Sequence, residues 1–180
     1  MSNLRNSSVK FFNLILAVIC FTLLIGVTIF AEGVKTNDSK EITWHAYDKG
    51  LKLAKENDKQ IIIDFTAKWC RWCKEMERKT FVDPQVVKTM NENFVAVRVD
   101  GDSHKELDIS GYKITEQQLT KQEFRVTGFP AFWFLESDGT KIGPIKGYKP
   151  AEQFLSVLNY VKDRKYDTTQ TKQKTQNKEN

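Results

Sequence analysis

The stretch IIIDFTAKWCRWCKEM, residues 61–76, holds two of the three cysteines of this 180-residue chain, two residues apart and each preceded by a tryptophan. The apolar, β-branched run over 60–66 predicts a buried strand, and CKEMERKTF behind it predicts a helix. The thiols therefore stand where a strand feeds the first turn of a helix. Unpaired N–H groups and the helix dipole favour an anion at that place. They lower a thiol below its free value of about 8.5. Cys70 occupies the spot, with Arg71 beside it, and Cys73 follows one turn later, close enough to form a small ring with it.

Three readings compete for this pair: a redox couple, part of a metal site, or two packing residues. A structural zinc site takes four ligands, but there is no second C-x-x-C and the only histidines are His45 and His104. A two-thiolate Cu(I) site needs fewer donors and stays open. Lys68, Arg71 and Lys74 around the pair imply partial exposure, which weighs against inert packing.

Charge narrows the partner classes. The net charge is +5, but Arg5 and Lys10 supply two of it and residues 162–180 a net three. Residues 11–161 are neutral, so the folded part gives no electrostatic case for nucleic acid.

Residues 11–31, FFNLILAVICFTLLIGVTIFA, carry no charge and are long enough to cross a bilayer as a helix. With residues 1–10 positively charged, the rest of the chain is expected outside the cytoplasm, in the periplasm or an equivalent space. A cleaved signal peptide is the rival, weakened by bulky Ile29 at the −3 position of a cut after Ala31. Cys20 sits inside this run as an apolar residue. Residues 32–41 read as a linker, 42–161 as the domain and 162–180 as a disordered polar tail.

Within the domain, Trp44, Tyr47, Leu51 and Ala54 recur at helical spacing over 43–56. Asp83 caps a helix with Pro84 at its first position. FVAVRVD (94–100) is a second strand, Thr115 and Gln118 form a capping box, and AFWFLE and KIGPIKGY flank the turn SDGT. A last helix turns Phe154, Leu155, Leu158 and Val161 inward. Alternating β and α elements predict an α/β fold: a central mixed sheet with helices on both faces.

Three segments carry a resemblance. IIIDFTAKWCRWCK resembles the active-site strand and helix of the thioredoxin superfamily. VTGFPAFWFL resembles its cis-proline segment, and GTKIGPIKGY the hairpin that follows, with Gly147. The pattern WC-x-x-CK-x-M-E-x-x-TF-x-DP-x-V is similar to the C-terminal domain of DsbD, the thiol:disulfide interchange family. The likeness covers residues 42–161.

It implies Cys70 as nucleophile, Cys73 as resolving thiol, and Asp64 as the buried acid that exchanges a proton with the resolving cysteine. An apolar strand raises a carboxyl toward neutrality; the plain alternative is an exposed strand-end Asp64. Pro130 is implied as cis, with the Phe129 main chain offered to an extended substrate. Trp69 is expected beside the thiols, Trp72 as a partner-contact surface, and Arg71 with Trp72 as the tuners of potential and partner choice. Two departures stand out: Arg-Trp replaces the Gly-Pro that many thioredoxins have between the cysteines, and the lysine that often accompanies the acid is missing, with Arg98 the only base on its strand. The insert over 101–123 reads as a lid, a docking segment or surface elaboration.

The function expected is a membrane-anchored, extracytoplasmic thiol:disulfide oxidoreductase acting as a reductase. It would take electrons from a membrane or thioredoxin-like donor and pass them to protein disulfides, apocytochrome c among the candidates, with no cofactor and no resident metal. The alternative is a Cu(I)-handling or client-binding module without turnover.

Overall fold

The computed structural model describes residues 40–167. The expected span at 11–31, Cys20, most of the linker and residues 168–180 lie outside the described residues. No helix among the described residues is long and apolar enough to cross a membrane.

The elements run β1 Trp44–His45, α1 Tyr47–Asn57, β2 Gln60–Thr66, α2 Arg71–Glu75, α3 Pro84–Asn93, β3 Phe94–Asp100, β4 Glu106–Ile109, β5 Tyr112–Thr115, α4 Glu116–Gln118, β6 Ala131–Leu135, β7 Lys141–Lys146 and α5 Ala151–Lys162. Helices α2 and α4 each continue into a wide π-helical turn, Met76–Thr80 and Leu119–Glu123. Five strands form one sheet in the order β1-β3-β2-β6-β7. β1 and β2 run parallel to β3, while β6 is antiparallel to both of its neighbours, β2 and β7. This is the mixed sheet of the thioredoxin fold.

Period-2 alternation along the strands builds two cores. Ile62, Ala96, Phe132 and Phe134 face Met76, Val86, Met90, Phe154 and Leu158, from α3, α5 and the turn after α2. Ile61, Ile63, Phe65, Val95, Val97 and Val99 face the other way, onto Tyr47 and Ala54 of α1, Leu107 and Ile114 of the β4–β5 hairpin, and Leu119. In α5, Phe154, Leu158 and Val161 are buried and Leu155 is half-buried.

Several termini form as their sequences dictate. Asp83 Oδ1 accepts from the Gln85 and Val86 amides, capping α3 with Pro84 at its first position. Thr115 and Gln118 close a reciprocal capping box.

Three features depart from the sequence reading. The helix predicted over 43–56 begins at Tyr47, because Trp44 and His45 pair with Ala96 and Val97 as a two-residue edge strand. The insert contains a two-stranded hairpin, β4–β5, turned at Ser110 and Gly111, both with positive φ. Its apolar residues roof the α1 side of the sheet. Residues 162–167, assigned by sequence to the polar tail, close α5 and a following turn. There the Tyr166 hydroxyl accepts from Gln60 Nε2 at 2.7 Å and donates to Glu136. At the other end of the described chain, Asn91 donates to the Glu41 carbonyl and accepts from the Thr43 amide, fastening residues 41–43 to the end of α3.

Candidate active site

Strand β2 ends at Thr66, and the chain turns through residues 67–69 into α2, leaving Cys70 as the N-cap residue. Cys70 and Cys73 form a disulfide, with S–S 2.12 Å and Cα atoms 5.3 Å apart. The Cys73 amide donates to Cys70 Sγ at 3.0 Å. An orphan first-turn donor thus meets the sulfur best placed to become an anion.

The pair is not partly exposed, as its charged neighbours suggest. Cys70 and Cys73 are 3% and 5% exposed. Lys68, Arg71 and Lys74 are exposed, while Ala67 and Phe129 pack against the two cysteines.

Asp64 lies on β2 six residues before Cys70, on the α2 face of the sheet, and is buried. Burial is the main influence on its carboxyl and raises it from 3.8 to about 6; Arg98 opposes this and Glu77 adds to it. Strands β2 and β3 pair in parallel register from Gln60 opposite Phe94, which sets Arg98 opposite Asp64. Arg98 Nε donates to Asp64 Oδ2 at 3.1 Å, and its Nη1 pairs with Glu77 Oε1 at 3.1 Å. The guanidinium plane lies over the Trp44 ring, 4.1 Å from its centroid. Arg98 thus bridges two acids while lying over an indole. A cleft of about 170 Å³, lined by Thr66, Lys68, Cys73, Glu77 and Asp100, lies beside Cys73.

The Phe129–Pro130 peptide is cis, and Pro130 is buried. Gly147 donates to the Pro130 carbonyl at 2.8 Å. The Phe129 amide and carbonyl make no hydrogen bond among the described residues. A free donor and acceptor at the end of a strand is what an extended chain needs in order to dock.

Trp69 is 69% exposed, so only its edge lies against the site: it meets the Phe129 ring at 5.8 Å, and its Nε1–H donates to the Asp102 carboxylate. Trp72 is 56% exposed and leans on Tyr148 at 5.5 Å. Tyr148 is held by its neighbour, since Met76 Sδ accepts from the Lys149 amide at 3.3 Å and Thr80 Oγ1 donates to the Lys149 carbonyl at 2.7 Å. Both holding groups come from the π-helical turn after α2. Arg71 is exposed and forms no ion pair among the described residues.

The candidate catalytic and substrate-binding residues singled out by sequence therefore lie about the end of β2 that leads into α2. Sequence reasoning missed Glu77, Tyr148 and Asp102, and noticed Arg98 only as a lone base. Counting along both strands from their shared start would have placed Arg98 opposite Asp64. Glu77 lies one helical turn beyond Cys73. His45 is on β1 and His104 precedes β4, and no group of three potential metal ligands forms among the described residues.

Residues 47–162 match the family model of a thioredoxin-like domain. The thiol:disulfide interchange protein DsbD of Campylobacter jejuni is 33% identical over 102 residues, which is 57% of this chain and 16% of that protein. The chain spans about a sixth of the length of the curated relatives it matches. A thioredoxin from Thermus thermophilus superposes with a TM-score of 0.57 at 26% identity, covering 67% of this chain and 87% of that one. A DsbH oxidoreductase superposes with a TM-score of 0.58 at 20% identity, covering 74% and 92%, which shows shared fold alone.

Proposed function

This chain belongs to the thioredoxin-like family, and from that premise we propose that it is an extracytoplasmic, membrane-anchored thiol:disulfide oxidoreductase that reduces protein disulfides through Cys70 and Cys73. The observation that carries the reading is the disulfide itself, closed at the N-cap of α2 with the Cys73 amide on Cys70 Sγ.

In the reduced form the Cys70 thiolate attacks one sulfur of a substrate disulfide. That bond breaks, the departing sulfur leaves as a thiolate and takes up a proton, and Cys70 holds the other half as a mixed disulfide. Cys73 then loses its proton and attacks Cys70 Sγ, releasing the second substrate thiol and restoring the Cys70–Cys73 bond. Asp64, raised to about 6, is poised to exchange the Cys73 proton near neutrality. The cleft beside Cys73 leads that proton to solvent. The unpaired Phe129 main chain holds the substrate strand, while Trp69, Arg71 and Trp72 give it an aromatic and cationic border. A dithiol donor, membrane-bound or thioredoxin-like, returns the two electrons. The uncharged run at 11–31 supports the anchor, and apocytochrome c is a fitting class of client.

Reduction of insulin in the presence of dithiothreitol tests the activity. Catalysis lost in Cys70→Ser, with Cys73→Ala trapping a client as a stable mixed disulfide, is the expected result. No acceleration over dithiothreitol alone would refute it, as would one Cu(I) per chain after purification with no turnover.

A further inference from the structure

Gly101 follows β3, and its amide donates to the Thr66 carbonyl at 2.8 Å, next to the turn that leads into the cysteines. It is buried, yet its lack of a side chain is not a matter of backbone angle. A Cβ there would stand 2.3 Å from Phe129 Cζ and 2.7 Å from Cε1. The far edge of the Phe129 ring therefore occupies the volume that any other residue would fill. Phe129 packs against the cluster formed by Ala67, Cys70 and Cys73, both cysteines being nearly inaccessible. The next residue, Asp102, holds the Trp69 indole, whose ring meets Phe129 edge-on. One short turn thus provides the floor for the ring and fixes its neighbour.

We propose that Gly101 is a positioning residue that seats the Phe129 ring against the Cys70–Cys73 pair, so that displacing the ring speeds the approach of an attacking thiol to the sulfurs. This rests on the oxidoreductase reading and adds control over the recharging half of its cycle. In that half a donor thiolate attacks one sulfur of the pair and the Cys70–Cys73 bond breaks. The donor's second thiolate then resolves the mixed disulfide. The donor leaves as its own disulfide, and both cysteines end as thiols.

The test is a two-by-two cycle of Gly101→Ala and Phe129→Leu, since leucine lacks the two ring atoms that a Cβ would strike. The rate at which dithiothreitol reduces the protein's own disulfide is followed by tryptophan fluorescence, alongside Tm. With Phe129 in place, Gly101→Ala is expected to accelerate reduction on the order of tenfold, about 1.4 kcal/mol off the barrier, and to lower Tm. Combined with Phe129→Leu, it leaves the reduction rate unchanged and lowers Tm less, because Thr120 Cγ2, 3.1 Å from the added Cβ, remains. An equal effect in both backgrounds overturns the proposal, as does an unchanged rate in Gly101→Ala. If Gly101→Ala alone fails to fold, recovery of the fold by Phe129→Leu supports the seat and its absence overturns it. Insulin reduction by the unaltered protein is scored separately, so failure of the oxidoreductase reading leaves this pattern intact and the reverse also holds.

Discussion

Replacing Asp64 by asparagine isolates the energetic cost of the buried carboxyl. Its value rises from 3.8 to about 6 on folding, so protons bind the folded state more tightly than the unfolded one. At about 1.4 kcal/mol per pH unit, this amounts to ~3 kcal/mol. The sign follows from proton uptake. Below pH 3.8 both states are protonated and the carboxyl costs nothing. Between 3.8 and about 6 only the unfolded state ionises, so stability falls as pH rises. Above about 6 the full cost is present. The substituted asparagine does not titrate, and whatever constant penalty it brings at Arg98 does not vary with pH. Urea unfolding of the oxidised proteins at a series of pH values from about 4 to about 8 should therefore show the stability of Asp64→Asn relative to the native chain climbing by ~2.5 kcal/mol, mostly before pH ~6.5. Two parallel curves, or a difference that shrinks with pH, would refute the assignment of Asp64 as a proton-holding group.

Two further substitutions probe the surroundings of the site. Arg98→Met removes the charge that opposes the rise of Asp64, so the pH range over which stability falls should extend above about 6. At pH ~8 the unpaired buried carboxylate should cost roughly 3–5 kcal/mol in the same urea series. Thr80→Val keeps shape but loses the hydrogen bond to the Lys149 carbonyl. It should cost about 1 kcal/mol and weaken the contact of Tyr148 with Trp72, seen as altered Trp72 fluorescence.

What sequence reveals here depends on how local the cause is. Strands β2 and β3 and helix α3 match their predicted bounds because each is set by its own residues: a β-branched run, a second such run, and an Asp-Pro start. The capping box of Thr115 and Gln118 is equally local. Strand β1 is invisible because two residues make no pattern, and because Trp44 falls by chance at helical spacing from Tyr47. The β4–β5 hairpin had a usable signal, a Ser-Gly pair between alternating apolar residues, obscured by reading 101–123 as an insert. In the site, Cys70, Cys73 and Pro130 were legible from motif and resemblance. The burial of the cysteines was not, since it depends on Phe129, more than fifty residues further on. The Asp64–Arg98–Glu77 bridge needs the strand register, and the seat at Gly101 needs the position of a ring atom. Neither leaves a trace in composition or spacing.

The fastenings at Asn91 and Tyr166 bear on how this domain can be carried. Asn91 grips residues 41–43 where β3 begins, and Tyr166 is bonded to Gln60 where β2 begins. The cysteines follow the opposite end of β2, seven residues along, roughly 20 Å away at strand spacing. The described chain thus enters and leaves at the rear pole of the sheet. A tether attached at either point would pull on the blunt end, at the opposite pole of the sheet from the disulfide.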